Sequence, residues 1–164
     1  MSVPPSRPLG ILVLCTGNSA RSQIAEALLA THGKGRVDAA SAGSRPAPRV
    51  NPRAIEVLRR HGITWQPTAP KRIGEFDGRR FDLVITVCDD ARDACPFFAG
   101  ARAQVHWGLP DPAGFTDLSE ARSAFEETYN ALAKRVGDLL ALPLEQLDDE
   151  ELRKRAQAVH DVIG

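Results

Sequence analysis

Gly10-Ile11-Leu12-Val13-Leu14-Cys15-Thr16-Gly17-Asn18-Ser19-Ala20-Arg21-Ser22 is the stretch on which the fold turns. Gly10–Leu14 is a short apolar run ending at Cys15, the pattern of a buried parallel strand. Cys15–Ser22 is small and polar, with Gly17 permitting a tight backbone. Gln23–His32 then carries Ile24, Ala27, Leu28 and Leu29 as a helical stripe. A loop between a strand and a helix N-terminus turns backbone N–H groups inward, and with the helix dipole they attract an anion. Arg21 can grip two oxygens of that anion through its planar fork. The same field favours a thiolate at Cys15, to which Ser19 and Ser22 can donate hydroxyl hydrogen bonds. A buried structural cysteine at a strand end is the plainer alternative; the Gly, Asn and Ser of the loop argue for the reactive one.

Outward from this unit, Val37–Ala42 is a second strand and Arg45–Pro52 a loop. Pro52 suits the first turn of a helix capped by Asn51 and running to about Gly62. Ile63–Arg80 is irregular. Phe81–Val87 is the strongest strand and again ends at a cysteine, Cys88. Ala103–Trp107 is a fourth strand, followed by the turn-rich Gly108–Gly114. Ser119–Leu140 is a long helix, with Ser119 able to cap it, and Leu144–Val159 is a last amphipathic helix after Pro143. His32 and His61 sit near helix ends as dipole partners. Alternating strands and helices imply an α/β fold, a parallel sheet covered on both faces. Ligands of such sheets sit beyond the carboxyl ends of the strands, where Cys15, Cys88 and Gly108–Asp111 all fall.

The 164 residues suit one α/β domain. Lys plus Arg equals Asp plus Glu at 21 each, so the overall field argues for neither nucleic acid nor an acidic membrane surface. Any anion site must be built locally. Met1–Pro8 holds three prolines and lacks the order of a signal peptide, and Ile11–Leu14 is too short to span a bilayer. A cytoplasmic location is expected. Three cysteines in a chain this long then favour reactive thiols over a disulfide framework.

The run Val13-Leu14-Cys15-Thr16-Gly17-Asn18-Ser19-Ala20-Arg21-Ser22 resembles the loop of the low-molecular-weight protein tyrosine phosphatases and of the arsenate reductases that share their fold. The likeness extends in order over about residues 9–140 and includes Ser41-Ala42-Gly43 after the second strand. It implies a three-layer fold with a four-stranded parallel sheet, a phosphatase-like domain over 9–142, a flexible segment at 1–8 and a C-terminal helical extension at 143–164. It also implies that Thr16, Gly17, Asn18, Ser19, Ala20, Arg21 and Ser22 bind the oxyanion. Asn18, Glu26 and Ser41 match positions that hold the loop, and in some members a monovalent cation, while Lys71 falls near where such members carry an acid.

Displacing an oxygen leaving group from phosphorus or arsenic requires a proton on the departing atom. Asp-Pro is also a common turn dipeptide, but Asp111-Pro112 matches the acid of the family. The phosphatases usually place an aromatic residue after it; here Ala113-Gly114 follows, as in the arsenate reductases. Cys88-Asp89-Asp90-Ala91-Arg92-Asp93-Ala94-Cys95 resembles the thioredoxin-coupled arsenate reductases. That likeness implies arsenate as substrate, Cys15, Arg21, Asp111, Cys88 and Cys95 as catalytic residues, an intramolecular disulfide relay, and thioredoxin or a similar dithiol protein as partner, with no cofactor. Zinc on Cys88, Cys95 and His106 would lack a fourth ligand and any standard spacing. Inert thiols, a tyrosine phosphatase and a non-catalytic phosphate-binding module are the remaining alternatives.

Overall fold

In the computed structural model, which describes residues 7–66, 69–87, 89 and 97–163, β1 spans Leu9–Cys15 and α1 spans Arg21–His32. They are followed by β2 (Val37–Gly43), α2 (Pro52–Arg60), β3 (Phe81–Thr86), β4 (Ala101–His106), α3 (Leu118–Leu140) and α4 (Asp149–Ile163). The four strands form one all-parallel sheet in the order β2-β1-β3-β4. The expected α/β architecture, a four-stranded parallel sheet flanked by helices, is the one observed.

Successive side chains of a strand point to opposite faces. Ile11 and Val13 of β1 therefore join Leu83 and Ile85 of β3 in the larger core, against Ile24 and Leu28 of α1, Leu58 of α2, Phe125 and Leu132 of α3, and Leu152 and Ala156 of α4. Leu12, Leu14 and Val84 face the other way, into a smaller cluster with Phe76, Phe81 and Phe98. Phe76 arrives there on a short 3-10 turn, Ile73–Phe76, inside the segment expected to be irregular.

Most boundaries shift by only a residue or two, and each shift has a local cause. Asn51 caps α2 through Arg53 N–H, as expected. α3 is capped by Asp117, not Ser119, through the N–H of Glu120. α4 starts at Asp149 because Leu144–Gln146 forms a separate 3-10 turn after Pro143. His61 closes α2, pairs with Glu126 at 2.6 Å and stacks on Tyr129. Among the described residues, no helix is long and apolar enough to cross a membrane.

Candidate active site

The loop from Cys15 to Arg21 leaves the carboxyl end of β1, one of the two inner strands of the sheet. Its carbonyls are turned outward, and each has a partner. Cys15, Thr16 and Gly17 carbonyls accept from the N–H groups of Ser44, Arg45 and Ala47, and the Ser19 carbonyl accepts from Asn51 N–H. The Asn18 carbonyl accepts from Gln23 Nε2, which Trp65 braces by donating to Gln23 Oε1. In a trans peptide the C=O of one residue and the N–H of the next point in opposite directions, and the described chain contains no cis peptide bond. Carbonyls turned outward thus leave the following N–H groups facing into the loop, an anion nest made of backbone alone.

Asn18 is the strut of this nest. It adopts φ 50°, the left-handed region that Asn tolerates better than most residues. Fully buried, its Nδ2 donates to Ser22 Oγ and Ser41 Oγ, both at 2.8 Å, and its Oδ1 accepts from Lys71 N–H. Ser41 in turn donates to Glu26. Burial pushes the Glu26 carboxyl up, opposed by that hydrogen bond and by the Lys71 charge. Gly43 packs beneath the loop: a Cβ there would meet Thr16 O at 2.4 Å and Asn18 N at 3.0 Å. Only a glycine lets β2 end so close.

Cys15 is 4% exposed. Its Sγ lies 2.9 Å from Ser22 Oγ and accepts from Asn18 N–H at 3.2 Å. Ser22 thus meets the sulfur as expected, whereas Ser19 contributes its carbonyl to the scaffold. Arg21 opens α1, where a cation opposes the helix dipole. Two contacts from the β4–α3 connection offset this: Nη1 donates to Leu109 O at 2.8 Å, and Nη2 lies 3.8 Å from Asp111 Oδ2. Asp111 Oδ1 accepts from Ala113 N–H and caps the 3-10 turn Pro112–Gly114. One carboxylate oxygen is held by its own turn while the other faces Arg21. Space is open beside Gly114, and a cleft of about 300 Å³ runs behind the loop, lined by Leu109, Pro110, Pro112 and Phe115.

The structure thus brings Cys15, Asn18, Arg21, Ser22 and Asp111 together. Cys88 and Cys95 lie outside the described residues. Among those described, no three His, Cys, Asp or Glu side chains converge to hold a metal ion. Gly43, the Leu109 carbonyl and the Gln23–Trp65 brace went unread in the sequence as site elements. A glycine at the end of the second strand was the one available signal.

A strand-end loop of inward N–H groups with a thiol at its base, and an arginine facing a carboxylate on a neighbouring loop, is a geometry suited to a tetrahedral oxyanion. The chain belongs to the low molecular weight phosphotyrosine protein phosphatase family, which it matches over residues 10–157. It is similar to an arsenate reductase of Halalkalibacterium halodurans, 35% identical over 127 residues, which are 77% of this chain and 91% of that protein. Among solved structures, an arsenate reductase from Archaeoglobus fulgidus superposes with TM-score 0.61 at 29% identity, over 77% of this chain and 98% of the other. A thioredoxin-dependent arsenate reductase from Corynebacterium glutamicum gives 0.59 at 30% identity, over 80% of this chain and 63% of the other.

Proposed function

We propose that this enzyme reduces arsenate to arsenite. The observation that carries the proposal is the loop after Cys15, whose carbonyls are engaged outward and whose Asn18 N–H meets Cys15 Sγ, with Arg21 facing Asp111. A tetrahedral oxyanion fits the nest, where the N–H groups and the guanidinium replace its hydration. The Cys15 thiolate attacks arsenic and forms a sulfur–arsenic bond. A hydroxyl leaves as water on receiving a proton from Asp111.

The next steps need a second thiol, because arsenate reduction takes two electrons. The Cys88 thiolate attacks Cys15 Sγ and forms a disulfide. The sulfur–arsenic bond breaks, its electron pair stays on arsenic, and pentavalent arsenic leaves as trivalent arsenite. Cys95 then attacks Cys88, which passes the disulfide to Cys88–Cys95 and frees Cys15. Thioredoxin, or a dithiol protein like it, returns both thiols. The relatives named as arsenate reductases, and Ala113-Gly114 where the phosphatases usually place an aromatic residue after Asp-Pro, favour this reading over a dedicated tyrosine phosphatase. Attack and acid steps are the same for phosphate esters, so weak hydrolysis of aryl phosphates accompanies the reduction. The test is arsenite production from arsenate with thioredoxin, thioredoxin reductase and NADPH. Sustained turnover supports the proposal; hydrolysis of aryl phosphates with no arsenite would make the protein a phosphatase.

A further inference from the structure

β4 is an edge strand, and its last peptide units face no strand on the outer side. Trp107 N–H donates inward to Thr86 O of β3, so the His106 carbonyl and N–H point outward. An uncovered edge is a row of unpaired backbone groups. α4 covers this one with a side chain that imitates a strand. Gln157 Oε1 accepts from His106 N–H at 2.9 Å, and Gln157 Nε2 donates to the His106 carbonyl at 2.8 Å. Beside it, Trp107, 1% exposed, donates its indole N–H to Ala156 O at 2.9 Å.

The clamped residues lead straight into the loop that bears Asp111. Leu109 N–H donates to Val87 O, and Leu109 O accepts from Arg21. Gly108 folds so tightly over the His106 ring that a Cβ would lie 2.7 Å from Nε2. From His106 to Leu109, the named backbone groups are held by Gln157 of α4, by Thr86 at the end of β3, by Val87 just after it, and by Arg21 of α1. Asp111, two residues further on, is itself exposed and, among the described residues, meets the loop through Arg21 at 3.8 Å. Its placement beside Arg21 depends on the stem before it.

We propose that Gln157 is a positioning residue for the Asp111 loop, and that α4 thereby sets how well the acid is aimed. This rests on the role given to Asp111 above. The test compares Gln157→Met, which keeps length and loses both hydrogen bonds to His106 along with an exposed one to Asp161, with Val159→Ala, which trims the same helix where it packs on the core. Phenyl phosphate, a poor leaving group, needs the acid; p-nitrophenyl phosphate needs it less. Gln157→Met should lower kcat on phenyl phosphate about tenfold, with p-nitrophenyl phosphate changed less than about twofold and KM unchanged. Val159→Ala should leave that ratio at the wild-type value. Combined with Asp111→Asn, Gln157→Met should add no further loss on phenyl phosphate. An equal loss on both esters, or the same ratio in Val159→Ala, would overturn the proposal. If the wild type cleaves neither ester, the acid reading fails instead, and positioning is read from amide exchange. A faster Leu109 amide in Gln157→Met but not in Val159→Ala would uphold the clamp, and no difference would refute it.

Discussion

In the proposed mechanism Cys15 is the nucleophile, and the Asn18 N–H donates to its sulfur. A serine hydroxyl does not ionise near neutral pH as a thiol can, so Cys15→Ser should abolish both arsenate reduction and ester hydrolysis. Steady-state rates check this, and near wild-type reduction in the variant would remove Cys15 from the mechanism. Gly43 gives a second expectation. A methyl there meets backbone atoms of Thr16, Gly17 and Asn18, which cannot swing aside as a side chain could. Gly43→Ala should destabilise the protein by about 1–3 kcal/mol, typical of overpacking, and lower turnover by roughly 10²-fold through misplacement of the loop. Chemical denaturation and kinetics on one sample read both. The sequence exposed Cys15, Arg21 and Ser22 because loop, strand and helix are contiguous there. The family likeness pointed to Asn18, Glu26 and Ser41 as holding the loop, and Ser41 does join Asn18 to Glu26; the Lys71 N–H on Asn18 arrives from a distant segment with no local signal, and nothing local in Gly43 says what lies above it.

At the scale of elements, two loops meet through Arg21. Asp111→Asn should slow phenyl phosphate hydrolysis by roughly 10²-fold, and p-nitrophenyl phosphate hydrolysis by less, as expected for loss of a general acid at that loop. Cys88→Ser and Cys95→Ser should spare this hydrolysis while stopping sustained arsenate reduction, since only the reduction needs more than one thiol. Equal loss of hydrolysis in Cys88→Ser would make that cysteine structural. Strand β1 and helix α1 were legible to within two residues because apolar run and helical stripe both lie in the larger core. β4 was read two residues late at its start and one at its end. It is an edge strand whose Arg102 is turned to Asp82 and Asp149 instead of a core, so its first residues lack the apolar signal. Asp117 was missed as a cap because Ser119 stood nearer the apolar stripe.

Across the whole molecule, the site at the carboxyl end of the sheet is balanced by an ionic tie at the amino end. Asp82 is 3% exposed and accepts from Arg7, Arg102 and Gly10 N–H. Burial alone would push its carboxyl up, but these hydrogen bonds and the Arg7 charge outweigh burial and hold it at about 2, below its ordinary 3.8. The unfolded chain takes up this proton at a higher pH than the folded one. The contribution is therefore full above the ordinary carboxylate range and is lost as pH falls through 3.8 toward 2. Urea unfolding should lose about 2 kcal/mol from this group across that window, and Asp82→Asn should flatten the slope there. An unchanged slope would show that the tie does not differ between the two states.

The central claim is that a thiol cascade starting at Cys15 reduces arsenate within one chain. The most direct measurement is a single turnover without any reductant: fully reduced enzyme is mixed with excess arsenate, arsenite is counted, and the non-reduced protein is digested and mapped. Roughly one arsenite per chain is expected, with Cys88 joined to Cys95 and Cys15 free. No arsenite, or arsenite released while all three cysteines remain thiols, would contradict it.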